Sequence, residues 1–378
     1  MNDAHAFALR LARETARRFG HESLRPLATA RGRQGPLPPK ALRAHAELGL
    51  GIAPLPAVAG GLDLGAAASC LIAESMAAGD VNAAFALPQP GAFADGVALL
   101  GNRHQRKIWL HAFFEDPEQS HGAVVVGPPG AIRARQGEGA LIVRGTVPAA
   151  WHACEAERLL VVADLLAADG TPTGSRRAMV LSRAQDGVQT DVPERHRGLP
   201  LARTAGVTLA DVRVPDNQCL GDGDASAGLR TAFTLQALRM GSLALGAARA
   251  ASSYLVDLAA RRRAAGTPLS QFHTMGFLLV DMHLACEAAF ERLKSLAEAA
   301  TLDEHDVAAA RGAADEVAFF VTESALQMLQ DAGERPEQHP LAAWHEDIRL
   351  LARCYRADAY FAPALQSAAP EGGVGFLC

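Results

Sequence analysis

The sequence predicts a mainly α-helical chain of the α+β class, with an N-terminal helical domain over residues 1–120, a central antiparallel β domain over 121–225 and a C-terminal four-helix-type bundle over 226–378. Three observations predict it. Apolar residues recur every three or four positions in the first part, short runs of β-branched and aliphatic residues fill the second, and long stretches with helical spacing form the third. A length of 378 residues fits this organisation, at about 150 residues per domain.

The first domain is predicted to consist of short helices separated by turns. Helical spacing of apolar residues is found in AFALRLARETARRF, ALRAHAELGL and AAASCLIAESMAA. Gly20, the LPPK turn and the Gly60–Gly61 pair interrupt this spacing, as residues that end helices do. This part is therefore expected to contain helices and no sheet.

The central domain is predicted from six short runs that Gly, Pro, Asp and Asn separate. The runs are AVVV (123–126), ALIVRGTV (140–147), RLLVVADLL (158–166), RAMVLS (177–182), GVQTDV (187–192) and GVTLADVRV (206–214). Such composition and punctuation are typical of strands and tight turns. No helical pattern lies between the runs, so an antiparallel sheet is favoured over βαβ units.

The C-terminal part contains three long stretches with helical spacing. They begin at Leu229, Gln271 and Asp306, and each is long enough for a helix of a bundle. Their high alanine content permits close helix packing. Weakly charged, alanine-rich surfaces at 240–260 and 306–330 would be exposed in a monomer, which predicts at least a dimer.

Composition excludes several classes of protein. A hydrophobic fraction of 49%, a charged fraction of 20% and a mean hydropathy of +0.06 are those of a globular chain. The net charge of −5 leaves no basic surplus for nucleic acid. No apolar run is long enough for a membrane span, and the N-terminus lacks a signal-peptide pattern, so a cytoplasmic location is expected. Six scattered cysteines without a CxxC pair favour reduced thiols over disulfides or zinc.

Several segments, in order along the chain, resemble the acyl-CoA dehydrogenase family. They are AELGLGIAPLPAVAGGLDL (46–64), AESMAAGD (73–80), LGNRHQRKIWLHAFFED (100–116), GVTLADVRVPDNQCLG (206–221), RRAAGTPLSQFHTMGFLLVDM (262–282), ALQMLQDAG (325–333) and the segment 340–347. Each is weak alone, but together they cover nearly the whole chain. The resemblance implies an FAD-dependent oxidoreductase that removes the α-proton of an acyl-CoA thioester with a carboxylate while flavin N5 accepts the β-hydride.

Both positions at which the family places its catalytic carboxylate are changed. The usual glutamate, eight residues after the Asp of the RD motif, corresponds to Tyr355, and the alternative position, just before a characteristic arginine, is Leu238. Neither residue supplies a carboxylate, and a tyrosine of ordinary pKa, about 10, is a poor base at neutral pH. The resemblance thus implies an inactive homomer. Should turnover occur, Glu346 and Asp347 are the first residues to test.

The resemblance also implies an FAD site, from which some residues are retained and others lost. Retained candidates are Arg262, Phe272, His273 (where the family has Gln) and Gln327. The TEPGAGSD loop is shortened to VGPPG (126–130), with Val126 in place of Thr; Ala149 and Trp151 replace a Trp and a Thr or Ser; and Asp331 replaces a glycine near the diphosphate. These changes predict weak or substoichiometric flavin binding by the isolated chain.

The same residues have plainer interpretations. Arg262 lies in a run of three arginines typical of a solvated helix face, Phe272 and Gln327 can be packing residues, and Tyr355 can simply fill a pocket. Arg239 occupies the family's characteristic arginine position as the candidate substrate-binding residue. A buried guanidinium needs a partner, either a CoA group or an internal carboxylate such as Asp281.

No metal site is predicted. His152 with Cys154, and His283 with Cys286, lack a second pair of ligands at suitable spacing. The GDGDASAG segment (221–228) lacks calcium-loop spacing and is interpreted as a turn that precedes a helix.

Three functions are compatible with the sequence. The first is an acyl-CoA dehydrogenase of fatty acid or steroid catabolism with a displaced base, as a homodimer or homotetramer. The second is a non-catalytic subunit of a heteromer with a catalytic homologue, which the retained Arg262 and the missing glutamate favour. The third is a flavin-free binding or scaffold protein. All three involve an acyl-CoA-type small molecule and neither nucleic acid nor membrane.

Overall fold

The computed structural model describes residues 3–28, 37–116, 120–264 and 266–355. Within these ranges helices come first, a sheet follows, and long helices return, so the predicted fold class is confirmed. The helices of the first part are α1 (Asp3–Phe19), α2 (Arg25–Ala28), α3 (Pro39–Glu47), α4 (Gly65–Ala77), α5 (Val81–Ala86), α6 (Gly91–Leu100) and α7 (Arg103–Glu115).

Helix α4 is the centre of the first part. Its residues from Ala67 to Ala77 are all buried, which agrees with a sequence that is apolar or small on every side. It packs against α1, and the chain leaving α1 approaches it so closely that a Cβ on Gly20 would lie 2.7 Å from the carbonyl oxygen of Ser75. Glycine at this position therefore permits the close approach.

The middle part is a single eight-stranded sheet. Its strands are β1 (Ala123–Val125), β2 (Ile132–Gly137), β3 (Ala140–Trp151), β4 (Arg158–Leu166), β5 (Pro172–Ser182), β6 (Val188–Thr190), β7 (Thr204–Val214) and β8 (Cys219–Leu220). Their order is β6-β7-β3-β2-β4-β5-β8, with β1 beside β4. No α-helix of the described residues lies between successive strands.

The sheet differs from the expected one in two respects. The pairings are antiparallel except that β4 runs parallel to both β1 and β2, so the sheet is mixed. Strands β2 and β8 were not predicted. In β2 the apolar alternation is short, with Ile132 and Ala134 buried between exposed Arg133 and Arg135, and it pairs on both sides within the sheet.

Up to residue 355, where the described part of the chain ends, the last part contains four helices: α8 (Ser226–Arg261), α9 (His273–Ala297), α10 (Glu304–Asp331) and α11 (Leu341–Leu351). A small hairpin of β9 (Arg263–Ala264) and β10 (Thr267–Pro268) connects α8 to α9. Helix α8 packs against α4 of the first part as well as α9, α10 and α11. It therefore joins the two helical parts.

The packing of α8 corrects one expectation. Residues 240–251, which were expected to form part of an exposed apolar surface, are buried inside the chain apart from a half-buried Arg249. Exposed large apolar residues instead lie along α9, where Phe277, Val280 and Leu284 are 70%, 55% and 58% exposed.

A hydrophobic cluster joins the sheet to the helices. It includes Phe93 of α6, Leu160 of β4, Val180 of β5 and Phe233 of α8. Burial of such large side chains is the main force that holds the two layers together. No helix in the described ranges combines the length and apolarity needed to cross a bilayer.

Candidate functional site

A cavity of about 250 Å³ lies where α4, α6 and α8 meet the segments that flank the sheet. Much of its wall is apolar, with contributions from Leu50, Leu55, Ile72, Phe85, Met240 and Leu243. Its polar wall groups include Ser69, Asp95, Arg239, His121, His152 and Tyr355. An apolar enclosure with a few convergent polar groups is the usual form of a small-molecule site.

Arg239 is the charged centre of one wall. Its Nη1 donates to Asp95 Oδ2 at 2.6 Å and to Gln236 Oε1 at 2.8 Å, and its Nε lies 3.3 Å from Ser69 Oγ. Burial opposes the charge, but the Asp95 carboxylate outweighs that effect and raises the pKa of Arg239. Its internal partner is thus Asp95 and not Asp281, which is exposed on α9.

Tyr355 and Leu238 have different surroundings. Tyr355 lines the cavity, with a backbone φ of 52°, whereas Leu238 is 1% exposed within the helical core and does not line it. The turn that carries Tyr355 is held by the buried Arg311, whose Nη2 donates to the carbonyl oxygens of Leu351 and Cys354 at 2.9 and 3.1 Å. Of the two positions tied to the family's base, only Tyr355 can reach a ligand in the cavity.

Glu346 and Asp347, suggested by the sequence as replacement bases, do not line this cavity. Asp347 is fully buried and accepts a hydrogen bond from the backbone N–H of Leu199 at 2.8 Å. Glu346 lies 3.8 Å from the exposed guanidinium of Arg197. Neither carboxylate therefore borders a ligand bound in this cavity, and a catalytic role for either residue stays a prediction.

A second polar group of the cavity was not predicted from the sequence. The turn after β3 places His152 Nδ1 3.1 Å from Glu155 Oε2, and Glu155 Oε1 accepts from Arg203 Nε at 2.8 Å. The ring of His121 stacks on that of His152, with centroids 4.9 Å apart and planes inclined by 21°. The three-residue spacing of His152 and Glu155 was the available sequence signal, whereas the predicted neighbour of His152 was Cys154.

The charges of this group are set by its neighbours. Burial raises the pKa of Glu155, but the hydrogen bond from His152, the electrostatic attraction of the His152 and His121 imidazoles and the hydrogen bond from Arg203 outweigh it and lower that pKa to about 2. Burial, followed by repulsion from His152, lowers the pKa of His121 to about 3. Glu155 is therefore a carboxylate and His121 a neutral imidazole at neutral pH.

Three side chains of this group carry metal-ligand atoms that lie close together. The ligand-type atoms of His121, His152 and Glu155 lie within 4.8 Å of one another. A metal binds an imidazole nitrogen along its lone pair, in the plane of the ring. The rings of His121 and His152 are stacked with centroids 4.9 Å apart, so the two imidazoles contact each other through their faces.

The chain is of the helical–β–helical class with a cavity between its layers, and comparison with protein-family models gives the family. Residues 8–115 match the family model described as acyl-CoA dehydrogenase, N-terminal domain, and residues 227–353 match that of the C-terminal domain. The chain belongs to the acyl-CoA dehydrogenase family.

Similarity to individual proteins agrees with this family assignment. The chain is 27% identical over 357 residues to the short-chain specific acyl-CoA dehydrogenase of Bos taurus, covering 90% of this chain and 84% of that protein. The fold is similar to that of butyryl-CoA dehydrogenase from Megasphaera elsdenii, with a TM-score of 0.82 and 23% identity over 94% and 95% of the two chains. A glutaryl-CoA dehydrogenase from Mycobacterium smegmatis in complex with FADH2 also has a TM-score of 0.82, at 17% identity over 95% and 92%.

The family implies FAD, and the four retained candidates lie on the bundle surface. Arg262, Phe272, His273 and Gln327 are all exposed, and none lines the cavity. Arg262 forms an ion pair with Glu334 of the same chain, so its charge is already compensated. In this single chain they present no free cationic centre for a diphosphate.

The sheet side offers the flavin ring little polar contact. Val126, where the family has Thr, is 7% exposed and has no hydroxyl to donate. The side chain of Trp151 packs edge-on against Phe85, with ring centroids 5.1 Å apart. The described residues of one chain thus fit FAD only incompletely.

Proposed function

We propose that this chain binds an acyl-CoA thioester in its cavity but, as a homomer, dehydrogenates it slowly or not at all. The observation that carries this proposal is Tyr355, which lines the cavity at the position of the family's catalytic glutamate. The acyl-CoA substrates named for the relatives and the apolar wall support the ligand class.

The chemistry follows from the side chains present. A phenol of ordinary pKa, about 10, is protonated at neutral pH and accepts a carbon-bound proton poorly. Leu238 has no proton-accepting atom and is enclosed in the core. General-base catalysis is worth about 10²- to 10⁴-fold, so loss of the carboxylate lowers turnover by that order.

Arg239 is better suited to shape the cavity than to bind an anion. Asp95 already compensates its charge, and Gln236 and Ser69 occupy further donors. The pair therefore offers a ligand a nearly neutral hydrogen-bonding wall, which suits a thioester or amide group more than a phosphate.

A second candidate is a non-catalytic subunit of a heteromer. Two surface features favour it: the uncovered apolar residues Phe277, Val280 and Leu284 of α9, and the exposed Arg262 and Phe272 near its start. In such an assembly these groups would meet a homologous subunit and complete its FAD site, while this chain would contribute no base.

Two parallel preparations test both candidates. The chain is purified alone and after co-expression with a homologue encoded beside it. Visible absorbance measures the bound flavin. Calorimetry measures the binding of butyryl-CoA, and a dye-reduction assay measures its dehydrogenation. We expect binding of butyryl-CoA by the chain alone, little or no yellow colour, and turnover only in the complex. A yellow homomer that turns over near 1 per second, within the usual enzyme range, would contradict the proposal.

A further inference from the structure

The group formed by His152, Glu155, Arg203 and His121 is built as an oriented imidazole. The carboxylate of Glu155 only accepts hydrogen bonds, so the Nδ1 atom of His152 that faces it at 3.1 Å carries a proton. In the neutral ring Nε2 is then left with a lone pair. This is the tautomer that a proton acceptor requires.

The orientation of this imidazole is secured from two sides. The side chain of Arg203 holds the second oxygen of Glu155 at 2.8 Å, while the backbone carbonyl of Arg203 accepts the N–H of His152 at 3.0 Å. His152 has a backbone φ of 60°, a left-handed conformation that is uncommon for residues other than glycine. Strain of this kind persists where the surroundings determine it and is frequent at functional sites.

His152 also faces the right space. Both His152 and His121 line the cavity that contains Tyr355 and Arg239, and His152 is 7% exposed. The stacked His121 is neutral, because burial and the adjacent His152 disfavour its charge. The charged groups around the imidazole are thus Glu155 and, behind it, Arg203.

We propose that His152, positioned by Glu155, is a proton-transfer residue that exchanges the α-hydrogen of an acyl thioester bound in the cavity. This inference rests on the proposed acyl-CoA ligand. The α C–H bond breaks and an Nε2–H bond forms, leaving the electron pair in the enolate of the thioester. The proton on Nε2 exchanges with solvent, and the enolate then takes a solvent-derived proton from the imidazolium, which restores the neutral ring. No electrons leave the ligand, so no oxidant or flavin is needed.

The test follows this exchange without flavin chemistry. The full chain is incubated with butyryl-CoA in D₂O, and the mass of the recovered thioester is measured against a protein-free sample. We expect a gain of one or two daltons with the wild-type chain. His152→Gln should reduce the exchange rate by about 10²-fold or more, as loss of a general base does. His283→Gln, at an exposed histidine of α9, should leave it unchanged.

Further variants separate chemistry from folding. Glu155→Gln should lower the rate because the amide can donate to Nδ1 and stabilise the wrong tautomer, while Glu155→Asp should retain more of it. Circular dichroism shows whether each variant is folded. If His152→Gln is unfolded, His152→Ala is used in its place, and added imidazole is expected to restore the exchange.

Calorimetric binding of butyryl-CoA distinguishes the two proposals. Binding without exchange by the wild-type chain overturns the role of His152 and leaves the proposed function intact. Exchange that persists in a folded His152→Gln variant, or that a chelator abolishes, also overturns it. Absence of binding overturns the proposed function and this inference with it.

Discussion

The guanidinium of Arg239 on α8 lies 2.6 Å from the carboxylate of Asp95 on α6, at the wall of the cavity. Their side chains are only 14% and 13% exposed. A buried pair of this kind is costly to break, because removal of one partner leaves the other charge without compensation. The cavity wall and the packing of α6 on α8 therefore depend on the same contact.

Asp95→Asn should destabilise the protein by about 3–5 kcal/mol, since it leaves the buried charge of Arg239 uncompensated. Urea denaturation followed by circular dichroism measures the change. The double variant Asp95→Leu/Arg239→Met should recover much of the loss. Glu291→Gln, which removes an exposed pair with Lys294, is the matched control and should change stability by less than about 1 kcal/mol. If Asp95→Asn and Glu291→Gln changed the stability equally, the assignment of Asp95 as the essential partner of Arg239 would be contradicted.

Tyr355→Glu should restore a carboxylate to the cavity and raise dehydrogenation of butyryl-CoA by about 10²- to 10⁴-fold in whichever preparation contains bound FAD. A dye-reduction assay measures the rate per flavin. Leu238→Glu serves as the comparison. Because Leu238 is enclosed in the core, its carboxylate should reduce stability without raising turnover. A wild-type rate equal to that of Tyr355→Glu would contradict the proposal that turnover is limited by the missing carboxylate and would point to His152 as a sufficient base.

His45 should make stability depend on pH. It is 3% exposed, its ring nitrogens have no hydrogen-bond partner in the described structure, and burial lowers its pKa from 6.5 to about 4. Between these values the unfolded chain binds more protons, so stability falls as pH falls below about 6.5. From pH 7.5 to 5 the loss should be about 2 kcal/mol.

Urea titrations at both pH values measure the total loss of stability, and His45→Leu should reduce it by about 2 kcal/mol, the share assigned to His45. His111→Gln, at an exposed histidine of α7, should not change it. His121, whose pKa burial lowers to about 3, should add a loss of the same sign that remains in the His45 variant. If the His45→Leu variant kept the full wild-type pH dependence, a group other than His45 would be responsible for it.

Helix α9 should contribute to self-association. Phe277 and Leu284 are 70% and 58% exposed on that helix, and a contiguous apolar surface of this kind favours burial against another chain. Phe277→Glu/Leu284→Glu should shift sedimentation at micromolar concentration toward the 39.6 kDa monomer. Val192→Glu, at a position that is 86% exposed between β6 and β7, is the control. A wild-type chain that sediments as a monomer would refute the prediction.

The order of the elements could be predicted from the sequence because it depends on local periodicity. The runs of aliphatic and β-branched residues at 158–166 and 206–214 correspond to β4 and β7, and the long helical stretches correspond to α8, α9 and α10. Strand β2 was not predicted because its pairing with strands on both sides stabilises it, whereas its own composition is not typical of a strand. The parallel pairing of β4 with β1 and β2 could not be predicted either, since the direction of strand pairing depends on segments that are distant in the sequence.

The sequence by itself determined the family and the absence of a carboxylate at Tyr355 and Leu238, because both depend on residue identity at motif positions. Only the tertiary structure decided that Asp95 compensates Arg239, that Asp347 is anchored to Leu199, and that His121 lies on His152 inside the cavity. These contacts join residues far apart in the chain. Their distances and burial arise from the packing of α6, α8 and the sheet, which no local pattern encodes.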